Sequence, residues 1–150
     1  MIALANVIAL LLMAIALLHL HWALGGKWPG TDETSLSHTV FGQNGVDAMP
    51  DQSLTAVVSG LIALAALWPL VWVGPLALPL PDWFVGLGMV VLTLVFLGRG
   101  VAGYLPAVTN RHAQQPFARL NARLYSPLIT AIGVGLFTLL VAGPGEAWHS

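Results

Sequence analysis

No cysteine occurs among these 150 residues. Disulfide exchange, thiolate zinc sites and iron–sulfur ligation are therefore closed to the chain. Charge is nearly as scarce. Asp, Glu, Lys and Arg make up 7 % of the residues, against roughly 25 % in an ordinary soluble domain, too few to cover a surface facing water. The net charge is −1, and no run of Lys or Arg exists that could follow a phosphate backbone. Nucleic acid is excluded as a partner on that ground.

What the chain has instead is apolar length. Hydrophobic residues account for 57 % of it, and its mean hydropathy is +0.84. No charged side chain occurs between Met1 and Gly26, and similar runs follow at Leu54 to Val73, Trp83 to Gly98 and Leu124 to Ala142. A helix rises about 1.5 Å per residue, so roughly 20 apolar residues cross a hydrocarbon core about 30 Å thick. The expected fold is all-α: an integral membrane four-helix bundle with spans near 2–24, 54–73, 83–103 and 124–142, forming a single domain over 1–150. The first run has no Lys or Arg before it and exceeds the usual 7–15 apolar residues of a signal peptide, so it reads as a retained helix.

The loops set the expected orientation. Lys27, Arg111, Arg119 and Arg123 lie in the first and third connections, and neither the termini nor the Pro-rich turn from Gly74 to Asp82 holds a Lys or Arg. The positive-inside bias then places the two long loops in the cytoplasm and both termini outside a bacterial inner membrane. Trp22, Trp28, Trp68, Trp72, Trp83 and Trp148 all fall near span ends, as interfacial belts require. Pro69 should kink or end the second span, because it lacks an N–H. Small residues four apart, at Ala56/Gly60, Ser59/Ala63, Gly98/Ala102 and Ala131/Gly135, allow close helix contact in lipid.

Polar residues within or beside the spans gather at the loop end. His21 and Trp22 close span one, Asp51 opens span two, Arg99 lies near the end of span three, and Arg119, Arg123 and Tyr125 lead into span four. These seven are the candidate ligand-binding residues, expected to meet around one polar pocket while the opposite half of the bundle packs dry. An ionisable residue in a span is a functional hypothesis by default. Arg99 has no Asp or Glu at its own depth, which leaves it to grip an anionic headgroup or to snorkel to the interface. His19 and His21 differ by about 200° around a helix and cannot ligate one ion together. No metal site is expected, and no cofactor is named by the sequence.

The stretch from His21 to Gly30, the pair Met49-Pro50, the run Phe96-Leu97-Gly98-Arg99, and the segment Phe117 to Leu128 with Arg119, Asn121, Arg123, Tyr125 and Pro127 together resemble an uncharacterised bacterial family. Its members are small four-helix integral membrane proteins classed as a domain of unknown function (3995). The resemblance implies one four-span unit and supplies no activity, substrate or cofactor. Relatives often carry Asp where this chain has Asn121, so an Arg–Asp pair there would be weakened.

Three functions fit, in descending order. The first is a binding or accessory protein whose polar pocket holds a lipid headgroup, an amphiphile or a partner subunit; its partners would be membrane lipid and a homo-oligomer or larger membrane complex. The second is a small membrane enzyme on an amphiphilic substrate, with His21 as acid or base and Arg99 as anion holder. The third is a transporter unit or haem-binding subunit, ranked last because proton and ion pathways place carboxylates within spans.

Overall fold

The computed structural model describes residues 1–144. Trp148, expected in an interfacial belt, lies outside the described residues. Among them the chain is helical, with no strand. Helix α1 spans Ile2–Ala23. Its Leu- and Ala-rich sequence favours helix, and it stops where Gly25 takes a positive φ of 85° and Gly26 N donates to His21 O at 2.8 Å. Helix α2, Glu33–Val40, is short and lies in the first loop. Helix α3 spans Gln52–Val73, with Asp51 as its N-cap and Gly74, at φ 93°, as its left-handed end. Pro69 sits inside α3 without ending it; the helix continues for another turn to Val73.

Helix α4 covers Asp82–Ala102 and α5 covers Pro106–Thr109. Helix α6, Phe117–Leu120, passes through a π-helical segment, Asn121–Tyr125, into α7, Ser126–Ala142. The last three form one continuous helix of 26 residues, so four helices are long and apolar enough to cross a membrane. The fourth starts seven residues earlier than the charge-free run suggests, because its first two turns carry Arg119 and Arg123.

The four long helices pack as two antiparallel pairs, α1 with α3 and α4 with α7, joined through α3–α4 and α1–α7. Inward positions follow helical spacing: Ala5, Ile8, Leu12 and Ala16 on α1, and Ile132, Leu136 and Leu139 on α7, are 0–2 % exposed. The outward faces are apolar too. Leu10, Leu61, Leu94 and Val141 are 60–71 % exposed. Helices hydrophobic all round belong in lipid, because water would charge tens of cal/mol for each Å² of that surface.

Close packing between α4 and α7 rests on three glycines. A Cβ at Gly103 would collide with Ser126 Oγ, one at Gly100 would come within 2.9 Å of the Thr130 backbone, and one at Gly133 within 2.8 Å of Leu97 N. The small-residue spacing in the sequence marks this contact only in part. Gly60 and Gly98 have nothing within 4 Å of a Cβ position, whereas Gly135 meets Ile8 and buried Ser59 donates to Ala16 O at 2.8 Å. Two tryptophans also turn inward rather than toward an interface. Trp72 is buried and donates to Leu139 O at 2.9 Å, and Trp68 donates to Val85 O at 3.0 Å. Trp28 and Trp83 remain largely exposed, as a belt position requires.

Candidate functional site

The two long loops fold against each other as a single cap over one end of the helices. Asp32 starts α2 as a capping box: its Oδ1 accepts from Ser35 N at 2.8 Å, and Asp32 N donates to Ser35 Oγ at 3.0 Å. Hydrogen bonds to the Asp32 carboxyl from the Ser35 backbone N–H, foremost, and from the Ser35 side chain hold it below its ordinary value of 3.8. Buried Ser37 donates to Val46 O at 3.1 Å. His38 Nε2 donates to Asp47 Oδ1 at 2.8 Å, a contact that becomes an ion pair only when the imidazole is protonated.

The third loop then docks on the first. Asn44 N donates to Arg111 O at 3.0 Å, and its side-chain amide donates to Asn110 O at 3.0 Å. His112 Nδ1 lies 2.9 Å from Phe41 O. A carbonyl only accepts, so this nitrogen carries the proton. Phe41 and Phe117 flank the imidazole, and Tyr125 continues the row with ring centroids 5.7 Å from Phe117. Tyr125 OH donates to Thr39 O at 3.2 Å.

Beneath this cap, the π-helical segment points Asn121 into the protein. Its Nδ2 donates to Gly103 O at 3.0 Å, and its Oδ1 accepts from Ser126 Oγ at 3.0 Å. Asn121 and Ser126 are both buried. A freed carbonyl at the end of α4 is thus satisfied from α7's entry turn, which ties the two helices where they meet. One guanidinium nitrogen of Arg99 stands 3.3 Å from the Cβ position of Gly103, beside the Ser126 hydroxyl.

The seven predicted site residues divide between the two helix pairs. At the α1–α3 end, exposed His21 lays its ring over Gly26, and Trp22 donates to Trp28 O at 2.7 Å. Asp51 accepts from Ser53 N at 2.8 Å and from the Ser53 hydroxyl. The Ser53 hydroxyl is the main reason its pKa falls below 3.8. Its carboxylate is thereby committed to capping α3. His19 Nδ1 donates to Ile15 O at 2.8 Å, within its own helix.

At the α4–α7 end stand Arg99, Arg119, Arg123 and Tyr125. All three arginines are exposed, and none has a carboxylate within 4.0 Å among the described residues. No hydrogen bond, ion pair or ring contact links His21, Trp22 or Asp51 to these four. Also among the described residues, no three His, Asp or Glu side chains are placed to hold a metal ion.

Asn121, Ser126 and His112 were outside the predicted set. Asn121 carried the one available signal: a short polar amide between Arg119 and Arg123, in the segment that leads into an apolar span. At the end opposite the cap, a mostly apolar groove of about 380 Å³ lies between α1 and α3.

A family model, described as a protein of unknown function (DUF3995), matches residues 12–136. Neither a curated protein nor a solved structure matches the chain.

Proposed function

The chain belongs to the DUF3995 family, and from that premise we propose that it works as a membrane binding or accessory protein, holding an anionic headgroup at the loop end of α4 and α7. The observation that carries this reading is the set of arginines Arg99, Arg119 and Arg123, exposed and without a carboxylate partner among the described residues. A guanidinium at a membrane interface matches a phosphate bidentately. The cap supports the same site, because Tyr125 and the Asn121–Gly103–Ser126 bonds fix the entry turn that bears Arg123.

The positive-inside bias of Lys27, Arg111, Arg119 and Arg123 supports a cytoplasmic cap in a bacterial inner membrane, where anionic lipids supply the headgroup. A hydrolytic or acid–base reading that pairs His21 with Arg99 draws no support from the geometry, since the two belong to different helix pairs.

The test is thermal unfolding in detergent with phosphatidylglycerol or phosphatidylcholine added. Wild type should gain several degrees from the anionic lipid alone. Arg99→Lys should lose most of that gain, because an ammonium cannot reproduce the planar fork. Equal shifts with both lipids, or an Arg99→Lys variant indistinguishable from wild type, would remove the headgroup reading.

A further inference from the structure

The side-chain hydrogen bond that latches the third loop to the first comes from an asparagine followed by glycine. Of the four asparagines in the chain, at 6, 44, 110 and 121, Asn44 alone precedes a glycine. Val46 N donates to Gln43 O at 3.1 Å, so Asn44 and Gly45 are the central pair of a tight turn. Gly45 has a φ of 78° while Asn44 does not have a positive one, the sign pattern of a type II turn, which requires glycine at its second central position. Both residues are exposed, and nothing lies within 4 Å of a Cβ position at Gly45. Among the described residues the Gly45 N–H has no acceptor. The turn thus sets a free, unhindered backbone nitrogen next to a side-chain amide.

We propose that Asn44–Gly45 is a self-modification site, at which cyclisation and hydrolysis of the Asn44 side chain permanently unlatch the cap. The Gly45 nitrogen gives its proton to solvent base and attacks Asn44 Cγ. The N–Cγ bond forms, the Cγ–Nδ2 bond breaks, and the side-chain nitrogen takes up a proton and leaves as ammonia. Water then adds to either carbonyl of the resulting imide, giving an aspartyl residue or its β-linked isomer. No oxidation or reduction occurs, and water is the co-reactant.

The docked loops make this step depend on the state of the cap. Asn44 N and Nδ2 donate to two successive carbonyls, Arg111 O and Asn110 O, each at 3.0 Å. Held at both points, Cγ cannot swing onto the Gly45 nitrogen, so the reaction proceeds when the third loop has lifted. The product then cannot return to the same contact. A carboxylate only accepts, as does the Asn110 carbonyl it would face, and the β-linked isomer adds a methylene to the backbone between the two loops. Each conversion is a one-way record of cap opening. It does not depend on what the arginines hold.

The full-length protein is aged in detergent at mildly alkaline pH, and peptide mass spectrometry follows amide-to-acid conversion at each asparagine. Asn44 should convert while Asn110, also exposed but followed by Arg111, stays intact. His112→Ala removes the bond to Phe41 O and loosens the cap, so Asn44 should convert about five- to tenfold faster, the effect of one lost hydrogen bond. Asn44→Asp presents the product from the start. By hydrogen exchange, the amides of residue 44 and Gln114, which donate across the loops to Arg111 O and Gly42 O, should exchange faster in that variant by a similar factor. Conversion at Asn44 no faster than at Asn110, an unchanged rate in His112→Ala, or unchanged exchange in Asn44→Asp would each overturn the proposal.

Discussion

Asn121 shows how one side chain governs a helix junction. Its amide satisfies the Gly103 carbonyl and the Ser126 hydroxyl together, and the π-helical turn is what aims it inward. Asn121→Leu leaves both groups buried without partners, at about 1–3 kcal/mol each. Unfolding in detergent should report a loss of that order or more, while Asn110→Ala, whose side chain is exposed, should stay near wild type. The candidate site was legible in its charges but not in this residue. Arg99, Arg119 and Arg123 declare themselves by being ionised in an apolar chain. An asparagine acquires meaning only when the carbonyl it serves is known, and that carbonyl lies 18 residues earlier in the sequence.

Two carboxylates give the same scale a pH dependence. Asp32 and Asp51 both titrate below the ordinary 3.8, each because hydrogen bonds from the following residues stabilise its charged form. A depressed native value means that the stabilisation is complete above 3.8 and disappears as pH falls through the native pKa. Helix α2 should therefore open to pepsin, at Leu36 and Phe41, only below that range. Asn caps a helix as well as Asp and does not titrate, so Asp32→Asn should flatten the profile at α2.

For whole elements, the glycines divide into two kinds. Gly100, Gly103 and Gly133 let α4 and α7 approach, whereas Gly60 and Gly98 face open space. Gly103→Ala should destabilise the protein by about 1–3 kcal/mol through forced separation of the helices. Gly98→Ala should instead stabilise it by up to about 1 kcal/mol, the ordinary gain of alanine over glycine within a helix. Reversed signs in thermal unfolding would mean that α4 packs on its other face. Spacing alone could not distinguish these sets. The helices are apolar on every side, so hydrophobic periodicity does not mark an inner face, and Ala56/Gly60, whose Gly60 faces open space, looks like Ala131/Gly135, whose Gly135 meets Ile8, until partners are assigned. Trp68 and Trp72 misled for a related reason: a tryptophan near a span end serves equally as a belt residue or as a donor to a neighbouring helix.

Across the whole molecule, the four spans were readable because charge-free length needs no tertiary information. The cap was not readable, because its contacts join Asn44 to Asn110 and Arg111, or Phe41 to His112, across 66 to 71 residues of chain. The proposed orientation is tested with single cysteines at Ala48, exposed in the first loop, and at Ala77, exposed in the turn after α3. In intact cells an impermeant maleimide should label Ala77→Cys and spare Ala48→Cys. The reverse pattern would invert the topology and place the arginines outside. Ser37 is unsuitable for this purpose because it is sealed beneath the cap.

The interlocked loops also impose an order on biogenesis. The α1–α3 hairpin emerges from the ribosome complete with its own helix contacts, but Asn44 and Phe41 lack their partners until the third loop has been synthesised, and Thr39 lacks its donor until Tyr125, at the entry to the fourth long helix, has followed. Closure of the cap is thus a late event, contingent on arrival of the second hairpin. Until then the first loop presents unpaired backbone groups and an uncovered Phe41 to the surrounding compartment, a signature by which a membrane protease could tell a half-made chain from a finished one.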